Sequence, residues 1–561
     1  MQMSPKKRFT IKRLSIGIGL VAVLGIFTQA QKADSYFEIS KNLEIFINTF
    51  KELQTFYVDP IEPGKLVKTG INSMLAELDP YTNYITESDI EEFEFQTTGK
   101  YGGIGASMRK KGDDILIGEV YENSPARKAG LQAGDYVLSI DDNVVAGKNI
   151  EDITMLLKGA PGTRLQIKIK QAYSGEVIEK TLIREEIEIS SVPYASLIGS
   201  DKSIAYVKLT QFTHGCSRTV KAKLDSLKKI NPALSGVVLD LRNNPGGLLD
   251  EAVNLCNLFL NRGQLVVFTK GKIPEMDKDY NTMSQAWDTL IPVTVLINRS
   301  SASASEIVSG TLQDLDRGVV IGERSYGKGL VQMTRNLGYN AKLKLTTAKY
   351  YTPSGRCIQA IDYAHRNPDG SVGEIPDSLK KTYFTKGGRK VKSGGGVEPD
   401  ITVTNDPVSK LAIVLYNKSY LFDFATQYAG EHKQIDKPET FSLSEEAFSK
   451  FVAYLDNKDY AYKTETEILL DSLKAVASRE DYFSMIKDDY AGLQRKVMHD
   501  KKQDLLKHKE EVKRLLESEI VSRYYFFPGR IAHGMRSDKD VLEAIRILEQ
   551  PQTYHAMLQK K

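Results

Sequence analysis

Lys328 lies in Gly-Glu-Arg-Ser-Tyr-Gly-Lys-Gly, residues 322–329, behind the apolar run Val319-Val320-Ile321. The spacing nearly matches a phosphate loop, whose last position is a hydroxyl that binds magnesium. Here that position is Gly329, and Leu330-Val331-Gln332-Met333 reads as extended chain, so no helix start follows to hold phosphates. A lysine has a second use, because a neutral amine in an apolar pocket is a competent general base. Its nucleophile would be Ser303, set between Ala302 and Ala304 where a strand-like run meets a helix-like one. Small neighbours let a substrate approach the hydroxyl, and amides at a helix start can hold an oxyanion. Gln332, four residues beyond Lys328, falls on the same side of an extended chain and could orient the amine. Asn243-Asn244-Pro245-Gly246-Gly247 ends an apolar run and offers amides that can approach a substrate closely. Of seven histidines, only His214 lies within the apparent α/β core proper, and a Ser-His-Asp arrangement with His214 and Asp240 stays open at this level.

The elements that must position these residues follow from the pattern. Residues 184–405 alternate strand and helix: Ser203–Leu209, Ser235–Leu241, Val293–Asn298 and Gly318–Glu323 as strands, with helices starting near Cys216, Asp250 and Ser303. That alternation predicts an α/β core with parallel pairs. Residues 98–183 carry short β-type runs separated by Gly, Asn, Asp and Pro, with two helical pieces, and form a small β-rich domain. Residues 31–97 are helical in pattern, with a break at Asp79-Pro80. From 406 to the end the chain is polar and helical, with Leu505, Val512, Leu516 and Ile520 on one face, and reads as a solvated helical bundle.

At 561 residues the chain is multidomain, and a net charge of +4 leaves no nucleic-acid footprint. Lys6, Lys7, Arg8, Lys12 and Arg13 precede the uncharged stretch Leu14–Phe27 and the small residues near Ala30. This is the order of an export signal, with a membrane anchor as the alternative for residues 1–30. The expected location is therefore the periplasm or cell envelope. Cys216, Cys256 and Cys357 have no metal-ligand or disulfide-framework spacing.

Taken in order, Asp-Leu-Arg-Asn-Asn-Pro-Gly-Gly, Ser-Ala-Ser-Ala-Ser-Glu, Gly-Glu-Arg-Ser-Tyr-Gly-Lys-Gly-Leu-Val-Gln and Lys-Tyr-Tyr-Thr-Pro-Ser-Gly-Arg-Cys-Ile-Gln resemble the C-terminal processing peptidases, the tail-specific serine proteases. The resemblance implies a crotonase-like α/β serine protease core, with Ser303 as nucleophile, Lys328 as base and Gln332 in support. It also implies oxyanion amides at Ala304 and at Gly246 or Gly247, with Asp314 as a structural acid. Residues 98–183 resemble the family's PDZ domain, in which a bound peptide adds as a strand and amides hold its carboxylate; Gly102, Gly103, Ile104 and Gly105 are the matching positions. The implied partners are proteins with exposed C-terminal tails, with no metal, nucleotide or organic cofactor and with a homo-oligomer left open. Two features depart from the family pattern: Gly-Val-Glu-Pro-Asp arrives only at 396–400, after a charged, glycine-rich insertion, and the helices after 406 are additional. A PDZ scaffold with a silent protease core, and an ATPase built on residues 322–329, are the competing functions.

Overall fold

The computed structural model describes residues 36–497 and 501–559. The basic and apolar head, with its expected cleavage or anchoring, lies outside the described residues. The chain divides into residues 1–84 and 85–561. In the first unit, helices span residues 36–56 and Pro63–Ala76. The second stops short of Asp79-Pro80, where the Asp79 carboxylate accepts the Tyr81 and Thr82 amides at 2.8 and 2.9 Å.

In the second unit the β-rich domain is a twisted antiparallel sheet in the order Ala106–Lys111, Asp114–Val120, Tyr136–Ile140, Arg164–Lys170, Val177–Ile183. Residues 164–170, Arg-Leu-Gln-Ile-Lys-Ile-Lys, alternate exposed and buried without a break, so Leu165, Ile167 and Ile169 enter the core. Among the described residues Ala106–Lys111 is an edge strand, paired only with Asp114–Val120, and helix Ile150–Leu157 packs beside it. A strand so placed has backbone groups free to take another chain.

The α/β core is a six-stranded sheet in the order Tyr194–Ile198, Ile204–Lys208, Gly236–Asp240, Val293–Ile297, Val319–Gly322, Ile401–Thr402. The first pair is antiparallel and the rest are parallel. Its central strands are apolar throughout because both faces are covered. Val207, Leu239 and Val295 point to one layer, formed by helices Cys216–Ile230, Leu249–Cys256 and Ala304–Asp314. Tyr206, Val238 and Leu296 point to the other.

That second layer corrects the reading of the carboxy-terminal region as a solvated bundle. Helix Lys539–Leu548 lays Val541, Ala544, Ile547 and Leu548 on the protease sheet, and Tyr554 of helix Pro551–Met557 joins them. The preceding helices have a core of their own, in which Val512, Leu516 and Ile520 pack with Phe424, Phe451 and Leu455. This part also grips the β-rich domain. The Arg109 guanidinium lies 4.8 Å from the Phe422 ring centroid and donates to the Tyr416 carbonyl at 3.2 Å, while Lys111 pairs with Asp423 at 2.6 Å.

The insertion before Gly396 is ordered as two hairpins, Ile361–Arg366 with Val372–Glu374 and Thr382–Phe384 with Lys390–Lys392.

Candidate active site

Ser303 ends the loop after strand Val293–Ile297 and opens helix Ala304–Asp314. Its φ of 54° and ψ of −111° are strained for a residue with a Cβ, and such strain is kept where function needs it. The other serines of the motif are tied into structure. Ser301 donates to the Leu241 carbonyl at 2.8 Å and Ser305 to the Asn244 carbonyl at 2.9 Å. Among residues 301–310, Ser303 alone is not buried.

Ser303 lines a cavity of about 570 Å³ with Ala304, Gly246, Gly247, Lys328, Gln332, Lys344 and Tyr350. The four motifs thus meet at one place. Leu330–Gly338 is a strand, as expected, pairing with Ala341–Tyr351. Its register shifts between Val331 and Gln332, and Lys328 precedes it, so simple alternation does not relate Lys328 to Gln332. Both nonetheless face the cavity, and the Gln332 amide donates to the Thr346 hydroxyl at 3.1 Å.

Glu306 fastens the two key segments together. It is wholly buried, and its Oε2 accepts the Ser303 amide at 2.8 Å and the Lys328 amide at 2.9 Å. Its Oε1 accepts the Gly327 amide at 2.7 Å and the Ser325 hydroxyl at 2.5 Å. Burial pushes this carboxyl up from the ordinary glutamate range, with the four donors pulling the other way. The sequence motif contains this glutamate, yet residue order alone assigns it no role in the site. The signal was there: an acid three residues into a helix, behind a serine, is the spacing of a reciprocal cap. The late Gly-Val-Glu-Pro-Asp segment serves the same loop, since the Val397 amide donates to the Ser325 hydroxyl and the Ser325 amide to the Val397 carbonyl. Gln359 of the Cys-Ile-Gln motif accepts the Gly329 amide at 2.7 Å.

The glycine turn is held against Ser303 as tightly as atoms allow. A Cβ on Gly246 would lie 2.7 Å from the Ala302 carbonyl and 2.8 Å from the Ser303 Cβ. The two glycines differ, however. The Gly246 amide donates to the Asn244 side chain at 2.9 Å, which removes it from the expected oxyanion set. Among the described residues, the amides of Gly247 and Ala304 have no acceptor.

The His214–Asp240 alternative does not assemble. His214 lines a neighbouring cavity with Asp250 and Glu251, and not the one that holds Ser303. Asp240 is buried among Arg242 at 2.6 Å, Lys208 at 3.0 Å and the Tyr206 hydroxyl at 2.7 Å. Burial alone would raise its pKa, but Arg242 and Lys208 hold the carboxyl far below the usual range. Arg242 continues to Asp538 and Asp540, both at 2.7 Å, tying the glycine turn to the last helices.

Asp314 is buried against Arg356, at 2.8 Å, and accepts the Thr352 hydroxyl and the Ser354 amide. Both charged side chains are about 1% exposed or less, so each needs the other. Asp314→Asn is expected to cost about 3–5 kcal/mol, the usual result of leaving a buried charge uncompensated. The denaturant midpoint would measure it, and joint replacement with Arg356→Met should recover most of the loss.

In the β-rich domain, Gly102 and Gly103 are drawn into a ladder with Glu186 and Glu185. Ile104 and Gly105 lead into the edge strand, and among the described residues their amides have no acceptor. The Ile104 side chain enters the core, so its backbone alone is available to a ligand. Of the four expected positions, these two have open amides. All three cysteines are free thiols. Among the described residues no group of three or more His, Cys, Asp or Glu could hold a metal ion, and no helix is long and apolar enough to cross a membrane.

Residues 203–372 match the peptidase family S41 model, 116–171 a PDZ domain, and 411–548 the C-terminal helical domain of PDZ-proteases. The chain is 35% identical to the carboxy-terminal-processing protease of Bartonella bacilliformis over 374 residues, covering 66% of this chain and 84% of that one. It belongs to the C-terminal processing peptidases. A second relative, from Staphylococcus aureus and named "Probable CtpA-like serine protease", is 30% identical over 488 residues, 84% of this chain and 95% of that one. The solved photosystem II D1 C-terminal processing protease aligns over 63% of this chain and 86% of its own at 25% identity, with a TM-score of 0.34. The molecule is therefore a serine-type peptidase with a PDZ domain, a protease core and a C-terminal helical domain. The phosphate-loop reading of residues 322–329 is thereby replaced: this loop is part of a peptidase cavity.

Proposed function

We propose that this peptidase is exported and cleaves envelope proteins near their C-termini, using Ser303 as nucleophile and Lys328 as base. The Ser303 hydroxyl attacks the peptide carbonyl while the neutral Lys328 amine takes its proton. The negative charge that develops on the carbonyl oxygen is met by the amides of Gly247 and Ala304. The Lys328 ammonium returns the proton to the departing amine, leaving an acyl group on Ser303. Water, deprotonated by Lys328, then releases the acid and restores the hydroxyl. Gln332 orients the amine, and the open edge strand with the Ile104 and Gly105 amides receives the tail.

The observation that carries this reading is the single cavity onto which Ser303, Lys328 and the free amides open, with Glu306 fastening both segments. Export rests on the order of charge and apolarity in residues 6–30. The test incubates the full-length chain with an unfolded reporter bearing an apolar C-terminal tail and reads the cut by product mass. Cleavage near the tail, equal with and without EDTA, is the expected result. Loss with EDTA and recovery with zinc would sink the mechanism, and tail binding without turnover would favour a silent scaffold. Fractionation of cells producing the protein tests export, and a cytoplasmic location would overturn that part.

A further inference from the structure

The cavity holds a second lysine for which the proposed chemistry has no use. Lys344 lies on strand Ala341–Tyr351, opposite Thr334, and lines the cavity with Ser303, Lys328 and Gln332. It is half-buried. Among the described residues that line the cavity none is aspartate or glutamate, and no carboxylate pairs with the Lys344 ammonium. Other buried cations in the protease core have partners: Lys208, Arg242, Arg356 and Arg389 each sit on a carboxylate, and Arg317 donates to three backbone carbonyls. Glu306, the acid behind Ser303, is spent on amides and a hydroxyl. Burial without a partner penalises the charged form of Lys344 and pushes its pKa down. An incoming anion would remove that penalty.

We infer that Lys344 is a specificity-determining residue that binds a carboxylate of the peptide substrate beside Ser303. The carboxylate is either the free end of the chain or an acidic side chain near the cut. The inference rests on Ser303 being the nucleophile.

The test uses the full-length protein and one neutral peptide that it cleaves. The peptide is made with a free or an amidated C-terminus. In the amidated form a Gln or a Glu is stepped through three positions on each side of the cut. The unsubstituted protein is expected to favour one carboxylate form over its neutral twin. Lys344→Gln should lower that ratio of kcat/KM by roughly 10- to 100-fold, mainly through KM, and Lys344→Arg should keep it. The pair that responds tells chain end from side chain. Raising salt should also shrink the ratio in the unsubstituted protein, a readout that needs no variant.

A ratio that neither Lys344→Gln nor salt changes overturns the inference. So does a folded Lys344→Gln protein that loses the neutral peptide in the same proportion as the acidic one. Ser303→Ala in parallel separates the two failures. Continued cleavage by that variant would mean that the nucleophile is elsewhere. A silent Ser303→Ala with an unaltered Lys344→Gln ratio would remove the carboxylate site alone.

Discussion

Replacing Ser303 by alanine is expected to lower kcat/KM for an unfolded, tailed reporter by at least about 10³-fold, with tail binding unchanged. In the proposed mechanism the hydroxyl is the bond-forming group, and its neighbours offer no substitute, because Ser301 and Ser305 are buried and donate to backbone carbonyls. Lys328→Met, which keeps the stem and removes the amine, should lose a similar factor. Most telling is the double variant. A nucleophile and its base act as one unit, so the second substitution should add little to the first. Initial rates on the three variants and the parent decide it. Strictly multiplicative losses would mean that Lys328 acts apart from Ser303, and a Lys328→Met protein with ordinary rates would place the base elsewhere.

The second large effect is expected at a residue that never touches the substrate. Glu306→Gln should lower kcat by about 100-fold, because an amide nitrogen would replace one oxygen in front of donors that need an acceptor. The Ser303 and Lys328 segments would shift, and a displacement on the order of 1 Å is enough for a loss of that size. Glu306→Ala removes all four bonds at once and should destabilise the fold by about 3 kcal/mol or more. A pH profile adds a readout that simple instability would not give. Burial raises the Glu306 pKa in the folded protein, so this carboxyl takes up its proton sooner than an ordinary glutamate as the pH falls. Protonation of the base Lys328 would set a first acid limb of kcat; a second, lower limb, lying above the ordinary glutamate value, should steepen the fall in the parent and be absent in Glu306→Gln. An unchanged second limb in that variant would assign the titration to another group.

Much of this molecule was legible from residue order. Alternating strand and helix predicts the parallel sheet because central strands covered on both faces must be apolar along their whole length, as Gly236–Asp240 and Val293–Ile297 are. Period-two alternation over 164–170 likewise predicts the β-rich domain. Ser303, Lys328 and Gln332 could be singled out by residue type and setting, and the fold brings all three to one cavity.

The three-dimensional arrangement decided what depends on distance between remote residues. Whether Asp240 was a catalytic acid turned on its burial among Lys208, Arg242 and Tyr206, which no local spacing reveals. Gly246 and Gly247 are equivalent as sequence, yet one amide is taken by the side chain two residues before it and the other is open. The last helices read as polar additions because burying Val541, Ala544, Ile547 and Leu548 requires strands more than 200 residues earlier, such as Gly236–Asp240 and Val319–Gly322, and a helix with charges on its other face looks alike in either setting. Glu306 shows the same division. Its spacing from Ser303 is local and predicts a helix cap, but its hold on Gly327 and Lys328 exists only once the fold brings the second loop to it, where the buried carboxylate must accept every donor in reach.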